Sequence, residues 1–162
     1  MQGQPAIRIL GIDPGSRVTG YGIIESDGRR SVHLASGCLR TGDGALADRL
    51  EVIFRGVARL VAEYRPAAVA VERVFVARNA DSALKLGQAR SAAICATFGA
   101  GAEVFEYAPR AIKQAVVGLG QADKAQVGHM VGVLLNHRVP LAPDAADALA
   151  AALCHAHTRP LA

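Results

Sequence analysis

Aromatic residues make up only 4% of the 162-residue chain, and tryptophan is absent. A core built from this sequence is aliphatic and alanine-rich, drawn from the 51% of residues that are hydrophobic. Cysteine is scarce: Cys38, Cys95 and Cys154 are widely spaced and odd in number. No disulfide framework follows from them, and a reducing compartment is the natural setting. No apolar run is long and clean enough to span a bilayer. The opening residues, Met1-Gln2-Gly3-Gln4-Pro5, are polar and have no signal-peptide core. Repeats, low-complexity tracts and linkers are also missing. These absences lead to the expectation of a soluble cytoplasmic protein with no membrane partner, folded as a single domain over residues 1–162. The net charge of +4 and a pI of about 9.3 are compatible with a nucleic-acid partner, but too mild to establish one.

The first apolar run, Ile7-Arg8-Ile9-Leu10-Gly11-Ile12-Asp13, alternates as a strand does and ends in a carboxylate. Ile7, Ile9, Gly11 and Asp13 share one face; Leu10 and Ile12 share the other. Pro14-Gly15-Ser16 breaks the strand directly after the acid. Asp13 is therefore either a ligand or catalytic group at the edge of a sheet or a simple turn starter. Residues 18–25 and 31–39, joined by the hairpin signal Asp27-Gly28, complete a three-stranded antiparallel meander.

Leu46, Leu50, Ile53, Val57, Leu60 and Val61 make one helical stripe, stopped by Pro66. Residues 67–72 follow as a short apolar strand, parallel because it comes after a helix, with Ala68, Ala70 and Glu72 on one face. A helix is predicted over residues 79–98, capped by Asn79 or Asp81. A strand over 103–107, a helix from Pro109 to Val117 and a helix capped by Asp123 come next. The last helix, residues 144–153, is apolar almost all round and mostly alanine, so it is buried and can approach its neighbour closely. The strand faces that carry Asp13 and Glu72 are lined by equally small Gly11, Ala68 and Ala70. Packing the helix across that face brings Asp13, Glu72, Asp144 and Asp147 together.

Four carboxylates in one place repel one another, and burying them unpaired is costly. A pair of hard divalent cations, Mg²⁺ or Mn²⁺, resolves the conflict. Two such ions about 4 Å apart can activate water and stabilise a leaving oxygen in phosphodiester hydrolysis. Each acid taken singly has a plainer reading, as a helix cap or dipole partner; their joint placement carries the argument. Cys154-His155-Ala156-His157 lacks enough ligands at the right spacing for zinc and reads as a helix end, with histidines near the negative pole.

Gly11-Ile12-Asp13-Pro14-Gly15-Ser16-Arg17-Val18-Thr19-Gly20-Tyr21-Gly22 resembles the opening of the RuvC family of Holliday-junction resolvases. Val71-Glu72-Arg73-Val74-Phe75, the stretch from Asn79 to Arg90, Phe105-Glu106-Tyr107, Lys113-Gln114-Ala115-Val116-Val117-Gly118 and Asp144-Ala145-Ala146-Asp147-Ala148-Leu149-Ala150 match further motifs in order. The likeness covers nearly the whole chain. It implies an RNase H-like α/β fold: a mixed five-stranded sheet, with the meander and two parallel strands, flanked by helices. It also implies a homodimer that nicks four-way DNA junctions symmetrically in recombination and repair, using two Mg²⁺ per site with Mn²⁺ as a substitute. A branch-migration complex of the RuvA and RuvB type is the implied partner.

On the same resemblance Asp13, Glu72, Asp144 and Asp147 are the catalytic, metal-holding acids. Phe75 stacks on a base, Lys113 and Lys124 lie near the scissile phosphate, and Arg78 and Asn79 join the DNA contacts. Read from the residues alone, Phe75 could equally be core, and the lysines solvated. A cation at the start of a helix, as at Lys124, opposes the dipole and hints at a phosphate partner. The chain stops soon after Arg159, without the longer basic tail of some members. Two other function classes share parts of the pattern. An actin-like sugar kinase or ATPase needs two large lobes, for which the chain is too short. A junction-binding module that does not cut would not need a complete set of acids.

Overall fold

The computed structural model describes residues 4–73 and 79–159. Five strands form one mixed sheet: β1 (Ile7–Asp13), β2 (Val18–Ser26), β3 (Ser31–Arg40), β4 (Ala68–Glu72) and β5 (Glu103–Tyr107), in the order β3-β2-β1-β4-β5. β1, β2 and β3 pair antiparallel, while β1–β4 and β4–β5 pair parallel. Both parallel links run through helices, α1 (Leu46–Tyr64) and α2 (Ala80–Cys95), as a crossover requires. Three further helices follow: α3 (Pro109–Val117), α4 (Lys124–Leu134) and α5 (Pro143–Thr158).

Alternation on β1 divides the core in two. Leu10 and Ile12, with Val69 and Val71 of β4, pack against Ile53, Val57 and Val61 of α1 and Ala89 and Ala93 of α2. On the other face Ile9, Ala68 and Ala70 pack against Leu149 to Leu153 of α5, backed by α3 and α4 through Ile112, Val116, Val127 and Val131. α5 is buried from Ala145 to Ala156 apart from Asp147. It lies so close to the sheet that side chains are excluded beneath it. A Cβ at Gly11 would stand 1.8 Å from the Ala148 carbonyl oxygen, and one at Gly20 would stand 2.1 Å from that of Asp144.

Two boundaries differ from the sequence expectation. α2 ends at Cys95 rather than running to 98; Thr97 turns its hydroxyl back to donate to the Ile94 carbonyl at 2.7 Å, and a 3-10 turn (Phe98–Ala100) follows. α5 continues past Leu153 to Thr158, because Cys154 and Ala156 extend its buried face. The caps behave as expected: Asn79 Oδ1 accepts from the Ser82 amide at 2.9 Å, and Asp123 and Gln126 form a reciprocal capping box. Among the described residues no helix is long and apolar enough to cross a membrane.

Candidate active site

The register of the sheet sets the site. Ile12 lies beside Val71 in the parallel β1–β4 pair, so the next residues out, Asp13 and Glu72, end adjacent strands on the same face. α5 starts over this edge, and the Gly20 contact fixes the height at which Asp144 arrives. Asp13, Asp144 and Asp147 each offer a carboxylate oxygen, and the three oxygens lie within 4.8 Å of one another. Glu72 stands outside that tight group. It lines a cleft of about 210 Å³ together with Asp13, Asp147, Lys113 and Lys124. Asp144 approaches from the β2 side and does not line the cleft.

Electrostatics follow from this geometry. Burial, and then the charges of Asp147, Asp144 and Glu72, raise the Asp13 pKa to about 7. Burial and Asp147 also raise that of Glu72, against the opposing pull of Lys124 and Lys113. Lys124 Nζ donates to Asp147 Oδ2 at 3.2 Å, and that bond with its charge raises the lysine pKa. The Lys124 side chain is 82% exposed, so this ion pair is weak and easily exchanged. Half-buried carboxylates this close repel one another and have one lysine among them, so they are suited to a hard divalent cation, whose oxygen ligands these would be. The donor set fits Mg²⁺ or Mn²⁺ and offers no soft ligand.

Of the remaining sequence-derived candidates, Lys113 and Lys124 border the cleft beside Glu72. Asn79 has its carbonyl oxygen committed to capping α2. Phe75 and Arg78 lie outside the described residues. The histidines near the end of α5 are engaged within the fold. His155 Nδ1 is 2.7 Å from the Tyr107 hydroxyl, and His157 Nδ1 is 3.1 Å from the Ala115 carbonyl.

Sequence reasoning missed the residues that brace the turn after Asp13. The Ser16 carbonyl accepts from Arg49 Nε at 3.1 Å, Arg49 Nη2 at 2.9 Å and the Thr41 hydroxyl at 2.8 Å. Thr19 closes the turn from within, donating to the Gly15 carbonyl at 2.9 Å. A signal for Arg49 existed: it falls four residues before Ile53 on the buried ridge 49-53-57-61 of α1, where a charge must find a partner. Past Glu72, the Arg73 amide donates to the Tyr107 carbonyl at 2.8 Å, and Glu106 bridges Arg73 and Arg90 of α2.

Comparison with known proteins agrees with this geometry. The family described as "Crossover junction endodeoxyribonuclease RuvC" matches residues 9–155. The protein of that name from Alkalilimnicola ehrlichii is 61% identical over 150 residues, covering 93% of this chain and 91% of its own length. The one from Marinobacter nauticus is 61% identical over 150 residues, covering 92% and 85%. A solved structure of Thermus thermophilus RuvC in complex with Holliday junction substrate superposes with a TM-score of 0.88 at 36% identity, covering 93% of each chain.

Proposed function

The chain belongs to the RuvC family of crossover junction endodeoxyribonucleases, its fold is RNase H-like, and we propose that it resolves four-way DNA junctions by Mg²⁺-dependent hydrolysis. In this reading the chain is one nuclease domain that acts in the cytoplasm as a homodimer. It makes paired, symmetric nicks during recombination and repair, alongside a branch-migration complex. The observation that carries the reading is the convergence of Asp13, Asp144 and Asp147 within 4.8 Å, with burial and then the neighbouring acids raising the Asp13 pKa.

Asp13, Asp144, Asp147 and Glu72 would hold the divalent cations. Bound there as a pair, such ions supply an activated water and stabilise the oxygen that leaves phosphorus. Lys113 and Lys124, at the mouth of the cleft, hold the non-bridging oxygens of the scissile phosphate. The Lys124 side chain is 82% exposed and held only by its bond to Asp147, so it is free to exchange that partner for a phosphate oxygen. Phe75, in the segment that follows Glu72, stacks on a base exposed at the crossover, and Arg78 and Asn79 contact the backbone nearby. On the outer side of α2, Leu84 is 67% exposed and borders a shallow apolar groove with Ala83, Gly87 and Leu50, which supports a second copy as the partner on that face.

The test is cleavage of a synthetic four-way junction with and without Mg²⁺. Paired nicks are expected in Mg²⁺ or Mn²⁺, and binding with little cutting in Ca²⁺, whose coordination is longer and looser. Robust cutting in excess EDTA would overturn the two-metal reading.

A further inference from the structure

We propose that Arg40, at the end of β3, is a second phosphate anchor, on the opposite flank of the carboxylates from Lys113 and Lys124. The DNA strand is then held on both sides of the bond to be cut. This rests on the reading of the chain as a junction endonuclease.

Register supplies the first part of the argument. Asp13 lies opposite Gly20, Gly20 opposite Cys38, and Arg40 is two residues further along β3, opposite Val18. The register shift between these strands lies at Ile23/Ile24, away from this stretch. Alternation therefore puts Arg40 on the face that carries Gly11, Gly20 and Asp13, the face α5 covers. That cover ends close by: α5 begins at Pro143, and Asp144 already lies against Gly20. Arg40 stands just beyond it, exposed, on the open continuation of the acid-bearing face. Two strand spacings of about 4.8 Å and two residue rises of about 3.4 Å put its Cα about 12 Å from that of Asp13. A few nucleotides of one strand cover that distance.

The second part is charge. Among the described residues Arg40 makes no ion pair, whereas its neighbour Arg17 is paired with Asp43 at 2.8 Å. An exposed, unpaired arginine is ordinary in itself; here its position gives it a use. A polyanion crossing four carboxylates needs positive potential on both sides. Lys113 and Lys124 supply it on the α3–α4 side, and Arg40 supplies it on the β2–β3 side.

The third part is rigidity. Thr41, next in sequence, donates its amide to the Arg17 carbonyl at 3.0 Å and its hydroxyl to the Ser16 carbonyl that Arg49 also holds. The end of β3 is thus tied to the turn after Asp13, so the anchor keeps a fixed relation to the acids. A guanidinium on such a base meets a phosphate with little further ordering.

The experiment is junction binding in Ca²⁺ across a salt series, with single-turnover cleavage in Mg²⁺ at saturating protein. Arg40→Gln should weaken binding several-fold and reduce the slope of log K against log salt by about 0.9, the share of one phosphate. Its saturating cleavage rate should match wild type, because a distant anchor adds uniform binding. Arg40→Lys should keep the slope. Arg59→Gln, an exposed charge on α1 behind the opposite face of the sheet, should leave both quantities alone. An unchanged slope in Arg40→Gln, or an equal loss in Arg59→Gln, overturns the anchor while wild type still cuts junctions. A wild-type protein that neither binds nor cuts junctions overturns the function itself, and the anchor with it.

Discussion

Burial and three neighbouring acids hold the Asp13 pKa near 7, against 3.8 for the free side chain, and that one displacement has two measurable consequences. The folded state binds this proton more tightly than the unfolded chain does, so ionising Asp13 costs stability. The contribution is intact below pH 3.8 and is lost progressively as the pH rises to about 7. In the absence of metal, Asp13→Asn should therefore raise stability at pH 8 by on the order of a few kcal/mol, seen as a higher melting temperature, and change it little at pH 4. Glu72 adds a shift of the same sign, while buried His155, with a lowered pKa, acts oppositely on the acid side. The difference between variant and wild type is thus the quantity to follow, in chelator from pH 4 to 8; a difference that stays flat across the range would show that Asp13 ionises freely. The same variant should lose cutting and retain junction binding, since phosphate contacts from basic groups carry affinity. Full nicking by purified Asp13→Asn would remove the acid cluster from the mechanism.

Among the elements, α5 decides whether the acids meet, and the sequence reveals why. Its alanines and the small residues Gly11, Ala68 and Ala70 are two halves of one close approach, legible in the sequence because large side chains are missing from both. Gly11→Ala should accordingly force α5 away, as its Cβ would stand 1.8 Å from the Ala148 carbonyl, a backbone atom with no rotamer to give. Overpacking of this kind costs about 1–3 kcal/mol or more, roughly 2–12 °C in a chain of this size. The shift should also raise the Mg²⁺ concentration needed for cutting, because Asp144 and Asp147 ride on the helix. A Gly11→Ala protein with wild-type melting and wild-type Mg²⁺ dependence would mean that α5 has room to spare. Other features were illegible for equally physical reasons. The end of α2 at Cys95 depends on the Thr97 hydroxyl reaching the Ile94 carbonyl, which periodicity does not encode. The Thr41 and Arg49 bonds to Ser16 join residues 25 and 33 positions apart from it, so they exist only once β3 has paired and α1 has docked. That Glu72 stands outside the tight group of three aspartates is a matter of a few ångströms, which residue order does not encode.

For the molecule as a whole, the proposed function calls for a choice of four-way junction over plain duplex and for cuts made in pairs. In the proposed function Phe75 makes that choice: stacking on a base is worth about 1–3 kcal/mol, and a junction centre offers unstacked bases that duplex exposes only through costly distortion. Phe75→Ala should slow junction cutting strongly at unchanged melting temperature, while Phe75→Tyr retains much of it. A core role would instead appear as a loss of about 3–5 kcal/mol in stability. Pairing of the cuts bears on assembly. The described residues hold one carboxylate cluster, so two coordinated nicks require two chains. The outward side of α2 is a suitable seam: Leu84 is 67% exposed, the small residues Ala83 and Gly87 beside it let a second helix approach, and the site lies elsewhere, at the β1–β4 edge. A stable dimer buries about 800 Å² per partner, and a charge at the centre of such a seam would be desolvated without a partner. Leu84→Glu should therefore sediment as a monomer at concentrations where wild type is a dimer. It should melt normally apart from the lost association, because Leu84 contributes little to the chain's own core, and it should yield single nicks in place of paired ones. A Leu84→Glu protein that remains dimeric and still cuts both strands would move the seam to another face.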